Sequence, residues 1–418
     1  MSKQSLGLLV AAAAFVCTVL PVSGQRGGGA PIVLPEGPGQ ELVSTQCSRC
    51  HGLNMITGSW GYTKQGWQDL FSSMVLLPRD SADSAAAYLA AHFPEKPRPK
   101  SVVIPGDVKV NIKEWLAPSL GSRPHDPLAA ADGTIYWTGM WASVIGHVDP
   151  KTGALKEYPL KPMSGPHGLT QDKAGNIWYT ANTGAYVGKL DPKTGMVTEY
   201  KMPDPAARDP HTPMFDRKGQ LWFTLQGANM VGRLNPQTGE IKLVTLPQPR
   251  SNPYGMVIMS NGNPFICEFG ANRLAMFDVD TMAITEYTLP NAETRPRRIA
   301  IDSSDNIWYG DYSRGYLGRF NPKTRETKEW ASPSGPQSQP YGITSIKDII
   351  WYNESAIRPN TLVRFDPKTE KFQSWIIPSG GGVVRNMMPL PNGNIAMAES
   401  GVNRVALVEI EAGRGGTR

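Results

Sequence analysis

The stretch from residue 107 to 410 repeats itself, and this bounds the fold of the 418-residue chain more tightly than any other feature. A register mark recurs at His125, His167, His211, Tyr254, Arg297, Tyr341 and Arg385, at intervals of 42, 44, 43, 43, 44 and 44 residues and usually behind a proline. Each unit continues with a turn and an apolar β-type run, such as Ile177-Trp178-Tyr179-Thr180 or Leu221-Trp222-Phe223-Thr224. A Gly/Asn turn and a second run come next, then Asp-Pro-Lys-Thr-Gly at Asp149 and Asp191, with variants at Asn235, Asn321 and Asp366. The unit closes on an outer strand ending in Glu-Tyr or Glu-Trp, at Tyr158, Tyr200, Tyr287 and Trp330. Four short strands per unit, seven times over, predict a mainly β fold, a seven-bladed β-propeller over residues 107–411. The 43 glycines and 37 prolines supply the turns that so many short strands need. The seventh unit stops near Ile410 without its outer strand, and a spare copy stands ahead of the first unit at Val110–Trp115. Residues 108–116 are therefore expected to complete the last blade and remove its open edge. Residues 412–418 read as a tail.

Equivalent positions of a propeller form rings about the axis. The marks make one ring. Fourteen residues later, or 13 in unit six, stand Gly139, Ala181, Leu225, Glu268, Asp311, Glu354 and Glu399. Three imidazoles thus come from units one to three and four carboxylates from units four to seven, an asymmetry that predicts a polar pocket. In that reading His167 and His211 act as bases or ligands, and Glu268, Glu354 and Glu399 orient them or bind a divalent cation. His125, Tyr254, Arg297, Asp311, Tyr341 and Arg385 line the pocket, with Arg297 and Arg385 clamping an anionic group. The alternative is that axial polar residues only solvate the channel. Arg298 and Asn386 flank the ring as weaker candidates. Trp178, Trp222, Trp308 and Trp351 recur at one strand position and read as blade packing.

The N-terminus reads as an address. Lys3, an apolar run from Leu8 to Val19 and the breaker Leu20-Pro21-Val22-Ser23-Gly24 keep the order of a secretory signal peptide over residues 1–24. The expectation is a periplasmic or secreted protein with no stable membrane span after cleavage and a flexible leader over 25–38. The net charge of +6, from 42 Lys+Arg against 36 Asp+Glu, is spread without a cluster, so no nucleic-acid partner is expected.

Cys47-Ser48-Arg49-Cys50-His51 has the C-x-x-C-H spacing of a covalent haem c site: two thiols for the two vinyl groups, and an adjacent imidazole for the iron. A redox dithiol or half a zinc site needs no such histidine, and no second Cys/His pair for zinc lies nearby. Helices are expected over Gln40–Cys50, over Thr63–Leu76 and, capped by Ser81, over Ala85–Phe93. Residues 39–94 so resemble a minimal cytochrome c domain, with 95–106 as a proline-rich linker. Met55, Met74 and His92 are the local candidates for the sixth iron ligand, and Met74, 23 residues beyond His51, is favoured. Cys267 reads as a small buried hydrophobe.

The repeat resembles the virginiamycin B lyase (streptogramin lyase) family over the whole propeller. The resembling elements are the Pro-His-Gly and Pro-Tyr-Gly starts, the Ile-Trp-Tyr-Thr strands, the Gly-Ala-Asn turns and the Thr-Glu-Tyr-x-Leu-Pro ends, carried best over residues 207–247. The resemblance implies a seven-bladed propeller that opens a cyclic ester by β-elimination, with a channel His as base, a channel Glu and Mg²⁺. His167 and His211 match the Pro-His positions, while their own acid slots hold Ala181 and Leu225. The leading expectation is an exported c-type cytochrome that transfers electrons to a redox partner protein, coupled to a propeller that binds or converts a small molecule. A carbon–oxygen lyase and a non-catalytic scaffold for a redox partner stand as alternatives.

Overall fold

Six of the seven units open on a proline, and the residues directly behind it decide the geometry of the axis. In the computed structural model, which describes residues 32–48 and 52–411, the repeats form seven four-stranded antiparallel sheets. The expected signal peptide at 1–24, residues 25–31 of the expected leader, Cys50, His51 and the expected 412–418 tail lie outside the described residues. The first strands of the sheets, Pro124–Ala129, Pro166–Gln171, Pro210–Phe215, Pro253–Ile258, Pro296–Ile301, Pro340–Ile346 and Val384–Pro389, contact one another in a closed ring and line the axis. The strand Lys109–Leu116 pairs antiparallel with Arg404–Glu411, from Lys109↔Glu411 to Leu116↔Arg404, and completes the seventh blade as expected.

In all seven blades the register slips just after the first residue of the inner strand. Pro210 opposes Leu225, but pairing resumes with Pro213 opposite Phe223, so His211 and Thr212 together face Thr224. This is a β-bulge, which re-aims side chains beside it. Its freed N–H is caught by the residue opposite. The Thr180 hydroxyl accepts from Gly168 N at 3.0 Å and donates to the carbonyl of His211, the mark of the next blade, at 2.5 Å. Thr138 and Thr224 make the same clip, and Cys267 makes it with sulfur, accepting from Gly255 N at 3.1 Å and donating to Arg297 O at 3.0 Å. Cys267 is buried in the core as expected and also serves as a hydrogen-bonding clip. Thr180→Val keeps the shape and orphans both backbone groups, so it is expected to cost about 1–3 kcal/mol. Urea unfolding checks this, and an unchanged midpoint would mean that the clip contributes nothing to stability.

The recurring polar turns have local causes. Asp149 and Asp191 accept from the backbone of Lys151 and Lys193 at 2.9 Å, and Gly153 and Gly195 close those turns at φ 73 and 77. Trp178, Trp222 and Trp308 are buried and donate from Nε1 to Asp172, Asp216 and Asp302 at 2.8–2.9 Å, which confirms them as packing.

Among the described residues, four short helices precede the propeller: α1 Gln40–Cys47, α2 Asn54–Thr57, α3 Lys64–Met74 and α4 Arg79–His92. Val43, Ile56, Trp67, Phe71, Ala85, Ala86, Tyr88 and Leu89 form their shared core, with Cys47 packed against it. Thr63 caps α3 through Gly66 N. The last helix starts at Arg79 behind Pro78, so Ser81 lies inside it rather than capping it, because proline already presets the first turn. No described helix is long and apolar enough to cross a membrane.

Residues 95–106 are docked. Val102 N donates to Ser334, Ile104 N to Ser374, and the Ser101 hydroxyl to Pro359 O. Gly121 N donates to Ser73 O at 2.9 Å, the Tyr62 hydroxyl meets the Arg358 guanidinium, and α3 touches the Ser400–Val402 turn. Gly121, Ser400–Val402 and Arg358 all belong to loops at the end of the blades where the inner strands begin. The helical segment therefore rests on blades six, seven and one, on the face that carries the ring of marks.

Candidate functional site

The bulge turns two consecutive side chains of most blades toward the axis, and these build two layers. In the upper layer the imidazoles of His125, His167 and His211 follow one another, tilted by 40–44°, at centroid distances of 3.6 Å each, and Tyr254 continues the row 3.9 Å from His211. The Tyr254 and Tyr341 hydroxyls meet at 2.5 Å. Arg297 lies over the rings of Tyr341, Tyr312, Phe269 and Tyr254 at 3.9–5.2 Å, a cage of cation–π contacts. Arg123, two residues before the first mark, lies over Trp141 at 4.6 Å. The structure thus brings together His125, His167, His211, Tyr254, Arg297 and Tyr341, in line with their spacing, and Arg385 joins them by its charge on Tyr341.

The lower layer is a polar plug. Arg298 reaches across the axis to Asp126 at 2.6 Å and to Thr212 at 3.2 Å, and Asp126 also meets His125 Nδ1 at 2.9 Å. Asn386, the flanking candidate of blade seven, hydrogen-bonds Asp126. Sequence reasoning misses Asp126 and Thr212, because strict strand alternation sends one residue per blade inward. The Pro-X-X-Pro runs at Pro124–Pro127 and Pro210–Pro213 are the signal that a regular ladder is impossible there. Below the plug lies a cavity of about 260 Å³ whose walls include Met214, Met256, Met387 and Ile343.

Burial holds all three imidazoles well below the ordinary histidine range, helped by their neighbours, so they are neutral near pH 7. Burial, then Arg385, bring Arg123 down to about 9. Burial raises the Tyr341 hydroxyl, but Arg297, Arg385 and Arg298 outweigh it and bring it down to about 8. Burial pushes Asp126 up, against the pull of Arg298.

The four carboxylates do not join this site, which corrects the expected acid ring. Glu268, Asp311, Glu354 and Glu399 end the second strand of their blades, one strand out from the axis. Glu354 accepts from Ser332, Ser334 and Thr361, and Asp311 from Arg295 N and Arg314, so both brace loops of their own blades. Glu399 accepts from Ser379. Glu268 is fully buried, and burial raises it to about 7. Among the described residues these acids nowhere gather as a cation site. His125, Asp126 and His167 do bring ligand atoms within 4.8 Å of one another, but Arg298 already holds Asp126, and Arg123 and Arg385 oppose a cation there.

Of the C-x-x-C-H motif, Cys47 ends α1 and packs on the helical core. Large apolar side chains near it in sequence are left uncovered, as an apolar prosthetic group would require. Met55, Trp60, Val75 and Leu76 are large apolar side chains exposed by 38–88%, and Trp67 Nε1 is a buried donor with no partner. Met74 is half-buried at the end of α3, and the His92 ring lies 4.5 Å from Tyr88.

The virginiamycin B lyase family matches residues 105–275. Among solved structures, a streptogramin B lyase aligns over 72% of this chain and 98% of its own at 23% identity and a TM-score of 0.66. The virginiamycin B lyase of Staphylococcus aureus aligns over 72% and 99% at 21% identity and 0.65. The propeller is virginiamycin B lyase-like. Hydrazine synthase of Kuenenia stuttgartiensis shares the fold at 10% identity and a TM-score of 0.58, over 68% of this chain and 95% of its own. No curated protein sequence matches the chain.

Proposed function

We propose that the protein is an exported c-type cytochrome whose virginiamycin B lyase-like propeller binds or converts a small molecule. Cys47 and Cys50 would hold the haem covalently, with His51 on the iron and Met74 as the favoured sixth ligand. The haem supplies one-electron transfer to a redox partner protein. The observation that carries the reading is placement: the segment bearing the motif rests on blades six, seven and one, on the face where the histidine–arginine ring lies. Electrons leaving a molecule bound there would have a short path to the partner. Proton abstraction in the manner of a lyase is a second reading, favoured by the His125–Asp126 pair. It lacks the acid partners expected at Glu268, Glu354 and Glu399.

Visible spectra of the matured protein, recorded anaerobically with small substrates and a cyclic depsipeptide, test both readings. The expected result is a haem band that is lost in Cys47→Ala and reduced by a particular compound. Product formed with the haem still oxidised would support the lyase instead, and the absence of any haem band would remove the cytochrome.

A further inference from the structure

We propose that the upper layer of the funnel is a binding site for a small multivalent anion, a dicarboxylate or a tetrahedral oxyanion, held by Arg123 and Arg385. The inference names the substrate class of the small-molecule site above and rests on that reading. Four guanidiniums converge on this one region: Arg298 on Asp126, Arg297 over Tyr254 and Tyr341, Arg123 two residues before His125, and Arg385 at the equivalent ring position of the adjoining inner strand. The imidazoles among them are neutral. Among the described residues, the carboxylate that pairs with any of the four is Asp126, and it is held by Arg298. Arg297 has its aromatic cage. Arg123 and Arg385 remain, half-buried and without a carboxylate partner among the described residues.

Two such charges drawn out of water with no ion-paired carboxylate of their own are costly, and an anion of charge −2 compensates them. Guanidinium forks match carboxylate and oxyanion geometry two bonds at a time. The ring also offers unpartnered polar atoms. His167 Nδ1 and His211 Nε2 have no hydrogen bond although the two residues are 4% and 1% exposed, and Arg385 Nε has none. The same charges count against a cation at His125, Asp126 and His167.

The experiment is calorimetric and thermal-shift titration of the full-length protein with sodium sulfate and with succinate at constant ionic strength, using sodium chloride and succinamide as controls. Saturable binding of sulfate or succinate, absent for chloride and succinamide, is expected, and the two probes separate an oxyanion site from a dicarboxylate site. Arg385→Met and Arg123→Gln are each expected to weaken binding about tenfold or more. Removing an uncompensated charge, Arg385→Met should also raise the midpoint of the ligand-free protein, which a merely structural role would lower. Equal shifts in wild type and both variants, or no binding of either dianion, would overturn the proposal. The readout does not involve the haem. Binding in a protein without a haem band would leave this inference standing and sink the cytochrome. Reduction of the haem by a neutral compound without anion binding would do the reverse.

Discussion

Asp126→Ala is expected to destabilise the protein by about 3–5 kcal/mol, because it strands the Arg298 guanidinium inside the propeller. Both side chains are 4% exposed, and their 2.6 Å contact crosses the axis from blade five to blade one. After the substitution Arg298 keeps the Thr212 hydroxyl at 3.2 Å, and a neutral hydroxyl does not offset a buried charge. Asp126→Ala/Arg298→Met removes the orphaned charge with its partner and should recover most of the loss, since a buried ion pair and well-packed apolar residues are often nearly equivalent. Urea unfolding of the two single variants and the double variant measures the coupling. If the double variant is no more stable than Asp126→Ala, the pair is not the bolt of the funnel.

The second large effect comes on acidification. The pKa of His167 is lower folded than unfolded, chiefly through burial and then through His211 and the guanidiniums. Its stabilising share is therefore present above the unfolded value of about 6.5 and is lost as pH falls. Below that value each imidazole of the row costs about 1.4 kcal/mol per pH unit until it is protonated in the folded chain as well. Glu268, raised to about 7, works the other way: its share is present below about 4.5 and lost as pH rises toward 7, so it partly masks the histidines in the wild type. A difference measurement avoids the masking. His167→Phe should gain on the wild type by about 1.4 kcal/mol for each unit below pH 6.5, with no change of gap above about pH 7.5. A gap constant from about pH 4.5 to 8 would mean that the imidazole is not held neutral.

The seven marks are legible in the chain because a residue recurs behind a proline at a near-constant interval, and the missing outer strand of unit seven betrays the closure. The second inward residue is not legible. Asp126, Thr212 and Arg298 point inward because a bulge breaks the two-residue alternation on which strand reading rests. The same assumption sends Glu354 and Glu399 to the axis, whereas a strand's end facing the rim is braced by serines and threonines of its own loops. Periodicity places residues along a blade, and the distance of each strand from the axis comes from the packing of blade on blade.

The pairing of Lys109–Leu116 with Arg404–Glu411 joins positions about 300 residues apart. Loop-closure entropy grows only logarithmically, so such a span costs on the order of 5 kcal/mol, hardly more than a loop half as long. The demand it makes is on time rather than on stability. Until the last strand exists, the first has no partner, and its hydrogen-bonding edge stays raw. Productive folding of this chain thus ends in one late, long-range event, and high contact order should make that event the slow one.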